Sequence, residues 1–112
     1  MQETLDLAVE LNCEFANFYS TMAYPGSRLF KVTEKGNLPE TWNGFSQHSY
    51  ETQPLPTKYL SPKEVLQFRD RAFNEYFTNR RYLDMVEQKF GKKVKSYILE
   101  MLQIKLERRL FN

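Results

Sequence analysis

Cysteine and histidine are nearly missing from this chain, Cys13 and His48 being the only ones. A single cysteine excludes an internal disulfide and fits a reducing, cytoplasmic setting. One thiol and one imidazole cannot supply the three or four ligands of a zinc or iron–sulfur site. The carboxylates are plentiful but show no paired metal-ligand spacing, so no metal is expected on this chain. A Cys13–His48 nucleophilic pair is conceivable, and inert packing of a buried cysteine is the competing reading. Charge of one sign is scarce too. A net charge of +2, with basic and acidic residues interleaved, is too small for an electrostatic nucleic-acid footprint, so no nucleic-acid partner is expected. No apolar run approaches the length of a membrane span and no signal peptide is visible at the start.

What the chain has is rings: nine Phe, seven Tyr and one Trp in 112 residues. That is one domain's worth of chain with a modest, aromatic-heavy core. The stretch that organises it runs from Cys13 to Phe30. Cys13–Ser20 is aromatic, poor in charge and of ordinary strand length, which predicts a strand. Tyr24-Pro25-Gly26 is a turn signal, since proline fixes φ and glycine permits φ > 0. Ser27 stands as the N-cap of a helix carrying Leu29, Phe30 and Val32, which Gly36 is placed to end. Strand, turn and helix N-terminus in succession leave free backbone N–H groups at the carboxyl end of a strand, where α/β folds bind ligands.

Before that stretch, Gln2–Asn12 reads as an amphipathic helix with Leu5, Ala8 and Val9 on one face, widened by Leu7 and Leu11. It starts without a cap, which suggests that Met1 is an added start and that the chain was cut from something longer. After it, 37–60 has three prolines and no periodicity, yet Trp42, Phe45, Tyr50 and Tyr59 argue for an ordered, aromatic-pinned loop, read either as a packed connector or as a ligand lid. Ser61-Pro62-Lys63-Glu64 satisfies the rules for a helix start: N-cap, proline at N1, and a capping box closed by Glu64, with Leu60 able to staple onto Val65. That helix should reach about Phe77. A second, capped by Thr78 or Asn79, should end at Gly91, and a third should run from about Lys92 to Phe111, with Arg108 and Arg109 favouring the negative end of its dipole. Its lysines and glutamates read as a solvated face, and Met85 and Met101 as core filling. Arg69 is anomalous. With Val65 at zero on the wheel, Tyr76 falls near 20°, Arg69 near 40° and Phe73 near 80° at about 100° per residue, in the middle of the apolar stripe. The stem can snorkel against Phe73 and Tyr76 with its head reaching water or a carboxylate, or the head can point at an anionic substrate group.

A resemblance covers nearly the whole chain. Glu3-Thr4-Leu5, Ala8–Asn12, Phe15–Tyr19, Tyr24–Ser27, Trp42, Phe45-Ser46-Gln47, Tyr50, Pro54–Thr57, Leu60-Ser61, Glu64–Phe73, Tyr76-Phe77 and Tyr82-Leu83 together resemble the carboxy-terminal part of the cobalamin-binding class of radical S-adenosylmethionine enzymes. That class includes iron–sulfur oxidoreductases and the anaerobic magnesium-protoporphyrin IX monomethyl ester oxidative cyclase. The fold it implies is mainly α: residues 1–36 as the last helix–strand unit of a radical SAM barrel, 37–60 as the loop, and 61–112 as a three-helix extension closing the barrel's open side. It implies a parent enzyme using S-adenosylmethionine, a [4Fe–4S] cluster and cobalamin, with the rest of the barrel as partner in cis. The departure is large, because the C-x3-C-x2-C cluster motif and the amino-terminal cobalamin domain are not in this sequence, so the piece itself is expected to hold no cofactor. By period-two alternation Asn17, Tyr19 and Thr21 share one face of the strand and Phe18 and Ser20 the other. Tyr19, Ser20 and Thr21, at its carboxyl end, are then the candidate cofactor-cavity residues, or they only finish the barrel wall. Arg69 is the candidate substrate-binding residue. The alternative role is a free-standing helical interaction module that uses its aromatic face. A lone strand would leave both edges open, so Phe15–Tyr19 should self-associate or stay mobile.

Overall fold

The computed structural model describes every residue, Met1–Asn112. The protein is mainly helical. Its α-helices are α1 (Gln2–Leu11), α2 (Arg28–Val32), α3 (Pro62–Thr78), α4 (Arg80–Phe90) and α5 (Lys92–Gln103), with single 3-10 turns at Lys35–Asn37, Trp42–Phe45 and Arg109–Phe111, and there is no strand. No helix is long and apolar enough to cross a membrane. Two compact units divide the chain, each built from separate stretches: Met1–Phe18 with Asp70–Lys105, and Tyr19–Arg69 with Leu106–Asn112.

The first unit is an aromatic core with helices around it. Tyr76, Phe77, Tyr82, Val86 and Ile98 are buried together, with Ala8 and Val9 of α1 and Met85 and Met101 packed on them. Tyr76 lies 5.0 Å from Tyr82 and 5.1 Å from Phe77, in tilted and edge-on geometry. Burying such rings contributes about 1.5–3 kcal/mol each. A buried phenol needs a partner for its hydroxyl. Tyr76 donates to the Cys13 carbonyl and Tyr82 donates to the Glu14 carbonyl at 3.0 Å. Burial pushes the Tyr76 hydroxyl up to about 12, with smaller contributions from Cys13, Tyr82 and Glu14. The helix ends follow the sequence. Asn12 leaves α1 in the left-handed region at φ 50°, and the Asn79 side chain caps α4 by accepting from the Arg81 and Tyr82 amides at 2.9 and 3.4 Å. Of the two cap candidates Thr78 is the one not used; its hydroxyl turns back to the Asn74 carbonyl inside α3.

The second unit is mostly loop, held by a few well-placed groups. The Ser27 amide donates to the Tyr24 carbonyl at 3.1 Å, with Pro25 at the second position and Gly26 at φ +88°, the pattern of a type II turn. The Ser27 hydroxyl then accepts from the Phe30 amide at 3.1 Å and starts α2. Phe45 is the aromatic pin, with Tyr24, Phe30 and Trp42 ranged around it at 6.2–6.5 Å. Gly44 cannot carry a side chain, because a Cβ there would stand 2.3 Å from Pro39 Cβ. At the start of α3 the capping box closes as expected. The Ser61 amide donates to the Glu64 carboxylate at 2.8 Å and the Glu64 amide donates back to the Ser61 hydroxyl at 3.3 Å. Val65 and Leu66 behind it are buried.

Three expectations fail here, each for a local reason. Cys13–Ser20 forms no strand, because a ladder needs a second strand and the chain has none. Burial nonetheless alternates residue by residue from Phe15 to Met22. The helix begun at Ser27 stops at Val32 rather than Gly36. Thr33 is extended at ψ 134°, and its hydroxyl bonds back to the Leu29 carbonyl at 2.7 Å. The last helix stops at Gln103 rather than Phe111, with Ile104 extended at ψ 109°. Leu106–Asn112 belongs to the second unit, where Arg108 is 2% exposed and works as an anchor, not as a partner of a helix dipole. Its Nη1 donates to the carbonyls of Gln47 and Ser49 at 3.0 and 3.1 Å and to the Thr52 hydroxyl at 2.9 Å.

Candidate functional site

Tyr19, Ser20, Thr21 and Arg69, the residues singled out from the sequence, all belong to the second unit, and residues 47 and 48 link them. Gln47 is the device that holds the chain at Ser20. Its Oε1 accepts from the Ser20 amide at 2.9 Å while its Nε2 donates to the Ser20 carbonyl at 2.9 Å. One side-chain amide thereby does for Ser20 what a neighbouring strand would do. The same Nε2 donates to the Tyr24 hydroxyl at 3.3 Å. The Leu55 amide donates to the Thr21 carbonyl at 3.0 Å and ties down the next residue.

The side chains divide by parity. Ser20 is 7% exposed and its hydroxyl has no hydrogen-bond partner in the chain, whereas Tyr19 and Thr21 are exposed. Tyr19 meets the exposed His48 edge-on, ring centres 6.5 Å apart. Arg69 is 7% exposed. Its Nη2 lies 3.1 Å from His48 Nε2, so the stem is buried and the head reaches a polar ring on the surface. A guanidinium only donates, so in this hydrogen bond His48 Nε2 is the acceptor. The nitrogen of His48 that would act as a base is already engaged by Arg69.

Cys13 is exposed rather than buried and belongs to the first unit, His48 to the second. No group of three or more His, Cys, Asp or Glu is placed to hold a metal ion. With one cysteine the chain does not fit an iron–sulfur cluster. The first unit has an open concavity of about 490 Å³ with an apolar floor of Leu5 and Val9 and an acidic rim of Asp6, Glu10 and Glu75. It contains none of the residues singled out from the sequence.

Sequence reasoning missed the roles of Gln47 and Arg108. Gln47 stands in a loop without periodicity, so nothing local marks it as a partner of residue 20. Arg108 carried none either: it stands between Glu107 and Arg109 and, at about 100° per residue, opposite the face shared by Leu106 and Leu110. No family model, curated protein or solved structure matches the chain.

Proposed function

We propose that this chain is the carboxy-terminal part of a cobalamin-binding-class radical S-adenosylmethionine enzyme, possessing no chemistry of its own and serving to close the active-site cavity and shape the substrate pocket. The observation that carries this reading is the run from Phe15 to Met22, whose burial alternates like that of a strand although the chain offers it no ladder partner. Such a run is what the last strand of a barrel would look like without its neighbours. Two further features support it. α1 exposes Leu7 and Leu11 while burying Leu5, so it is apolar on two sides, as a helix covered on both sides would be. The Arg69 guanidinium reaches His48 beside Tyr19, which places a polar cluster next to that run.

In this reading the cluster, S-adenosylmethionine and cobalamin are held by the remainder of the parent chain. The cluster supplies the electron that such enzymes use to generate a radical. This chain excludes water, and Tyr19 and Thr21, on the exposed face, line its share of the cavity while Ser20 and Arg69 stand buried behind them. An antibody raised against the chain, applied to an extract of cells that carry the native gene, should detect a polypeptide several times heavier than 13.4 kDa. Purified without oxygen, that polypeptide should contain iron and cleave S-adenosylmethionine. A native product of 13.4 kDa would overturn the reading and favour a free-standing helical module.

A further inference from the structure

Asn43-Gly44 is the one place in the chain where glycine follows asparagine, and such a pair can modify itself. With no side chain on the glycine to shield it, the Gly44 nitrogen can reach the carbonyl carbon of the Asn43 side chain. A bond forms between that nitrogen and that carbon, and the bond from the carbon to the side-chain nitrogen breaks. Ammonia leaves with the Gly44 amide proton, and a succinimide ring remains. Water then opens the ring at either carbonyl and leaves aspartate or isoaspartate. Water and ammonia are the only other species in the balance.

The second unit holds this pair in place and locks it. Gly44 is buried, and a Cβ there would stand 2.3 Å from Pro39 Cβ, so no bulkier, shielding residue fits. The attack requires the peptide group between Asn43 and Gly44 to turn about the Asn43 Cα–C bond. In the 3-10 turn Trp42–Phe45 both ends of that group are bonded. Its N–H donates to the Thr41 carbonyl at 3.1 Å, and its C=O accepts from the Ser46 amide at 3.1 Å and from the Ser49 hydroxyl at 2.5 Å. The Asn43 side chain is exposed, so these backbone bonds, and not burial, withhold the reaction. The Ser49 carbonyl in turn accepts from Arg108 and from the Thr52 hydroxyl, which makes the lock continuous with the anchor of the loop.

We propose that Asn43 is a self-modification site, silent while the turn is closed and reactive when it opens, so that a transient opening becomes permanent. Isoaspartate routes the backbone through the former side chain, with an added carbon, and turns the old backbone carbonyl into a free carboxylate. The bonds Gly44 to Thr41 and Ser46 to Asn43 cannot re-form across it. Phe45, around which Tyr24, Phe30 and Trp42 are ranged, then loses its place. None of this depends on the proposed parent enzyme.

The test compares the purified chain, held at mildly alkaline pH, with the same chain unfolded in guanidinium, conversion being read by peptide mass mapping. Unfolded, Asn43 should convert ahead of every other asparagine. Folded, it should convert about tenfold more slowly or less, since only the opened fraction reacts. Ser49→Ala removes one bond to the Asn43 carbonyl and keeps both carbonyls that Arg108 holds, so it should speed conversion in the folded chain about threefold or more with an unchanged circular dichroism spectrum. Trp42 is the only tryptophan and lies in the turn, so its emission should change in step with conversion and not recover at neutral pH. Asn43→Gln, which would have to close a larger ring, should keep both its mass and its emission. Equal rates in the folded and unfolded chains, or a Ser49→Ala rate equal to the parent's, overturn the lock. An unfolded chain that leaves Asn43 intact overturns the site, and full conversion without a change in Trp42 emission overturns the permanent opening.

Discussion

Arg108→Ala should be the most damaging single substitution in the second unit. Its guanidinium Nη1 reaches the Gln47 and Ser49 carbonyls and the Thr52 hydroxyl, all within 3.1 Å, and Thr52 is itself completely buried. Hydrogen bonds to charged groups contribute roughly 1.5–3 kcal/mol each. A plain sum overcounts, because one nitrogen with two hydrogens serves three acceptors and at least one hydrogen is shared. Removing a buried charged partner from such a cluster costs about 3–5 kcal/mol. For a chain of this length that is a fall in melting temperature of about 12–20 °C, at roughly 4 °C per kcal/mol. Thermal unfolding followed by circular dichroism measures it, with exchange of the Arg109 amide, now bonded to the Tyr50 carbonyl at 2.8 Å, as a local probe. Arg108→Met separates the two sources of the loss, since it keeps the buried stem and removes every donor. It should recover less than about 1 kcal/mol of the loss. A midpoint for Arg108→Ala within about 2 °C of the parent would refute the anchoring argument. Full recovery by Arg108→Met would show that packing, and not hydrogen bonding, holds the loop.

Gln47→Ala removes both bonds to Ser20 and should cost about 1–3 kcal/mol, with the Ser20 amide losing exchange protection; an unchanged exchange rate would mean the backbone there is held by something else. Gly44→Ala drives a Cβ against Pro39 and should destabilise by about 1–3 kcal/mol, read from the urea midpoint, with no change contradicting the close approach. The carboxyls of Glu64, Glu14 and Glu87 lie below their ordinary value near 4.5, held down by hydrogen bonds from Ser61, Lys89 and Lys95 respectively. Because the folded values are depressed, the unfolded chain binds more protons. The stabilisation is present above pH 4.5 and is lost as pH falls through the folded values. Glu64→Gln should remove its share of that acid sensitivity, visible as a smaller drop in the urea midpoint between pH 7 and pH 3; an identical drop would contradict the assignment.

Local signals were legible where a structure is decided by neighbours in sequence. The capping box of Ser61 and Glu64, the Asn79 cap, the left-handed Asn12 and the type II turn at Pro25-Gly26 all follow from a few adjacent residues, and they stand where the residues place them. At residues 15–22 the strand does not form, and only the alternation that sets Asn17, Tyr19 and Thr21 apart from Phe18 and Ser20 survives, in the burial. The partner of this run was not legible, because the group that satisfies Ser20 is one side chain, 27 residues away, in a segment with no period to read. The end of α5 failed for the same reason. Helical periodicity continues through Leu106 and Leu110, but the tertiary contacts of Arg108 outweigh the propensity of one more turn. Arg69 sits between these cases. The wheel put its stem inside the apolar stripe, where it is, but no wheel could say that its head would find His48.

The anchoring of residues 47–52 by Arg108 has a consequence for the order in which the protein can be made. The loop emerges from the ribosome ahead of the guanidinium that satisfies its carbonyls, which follows 59 positions after Ser49. During that interval the segment is without its cation, and the second unit lacks its closing piece while the end of α3, α4 and α5 are still being synthesised between its two parts. The first unit can complete its core of Tyr76, Phe77, Tyr82, Val86 and Ile98 as soon as Lys105 has appeared. Vectorial synthesis therefore favours the unit that closes first, and contacts of such long sequence separation are slow to form in any case. Nascent chains stalled a few residues short of Arg108 should carry a protease-sensitive 46–52 segment beside an already resistant aromatic core.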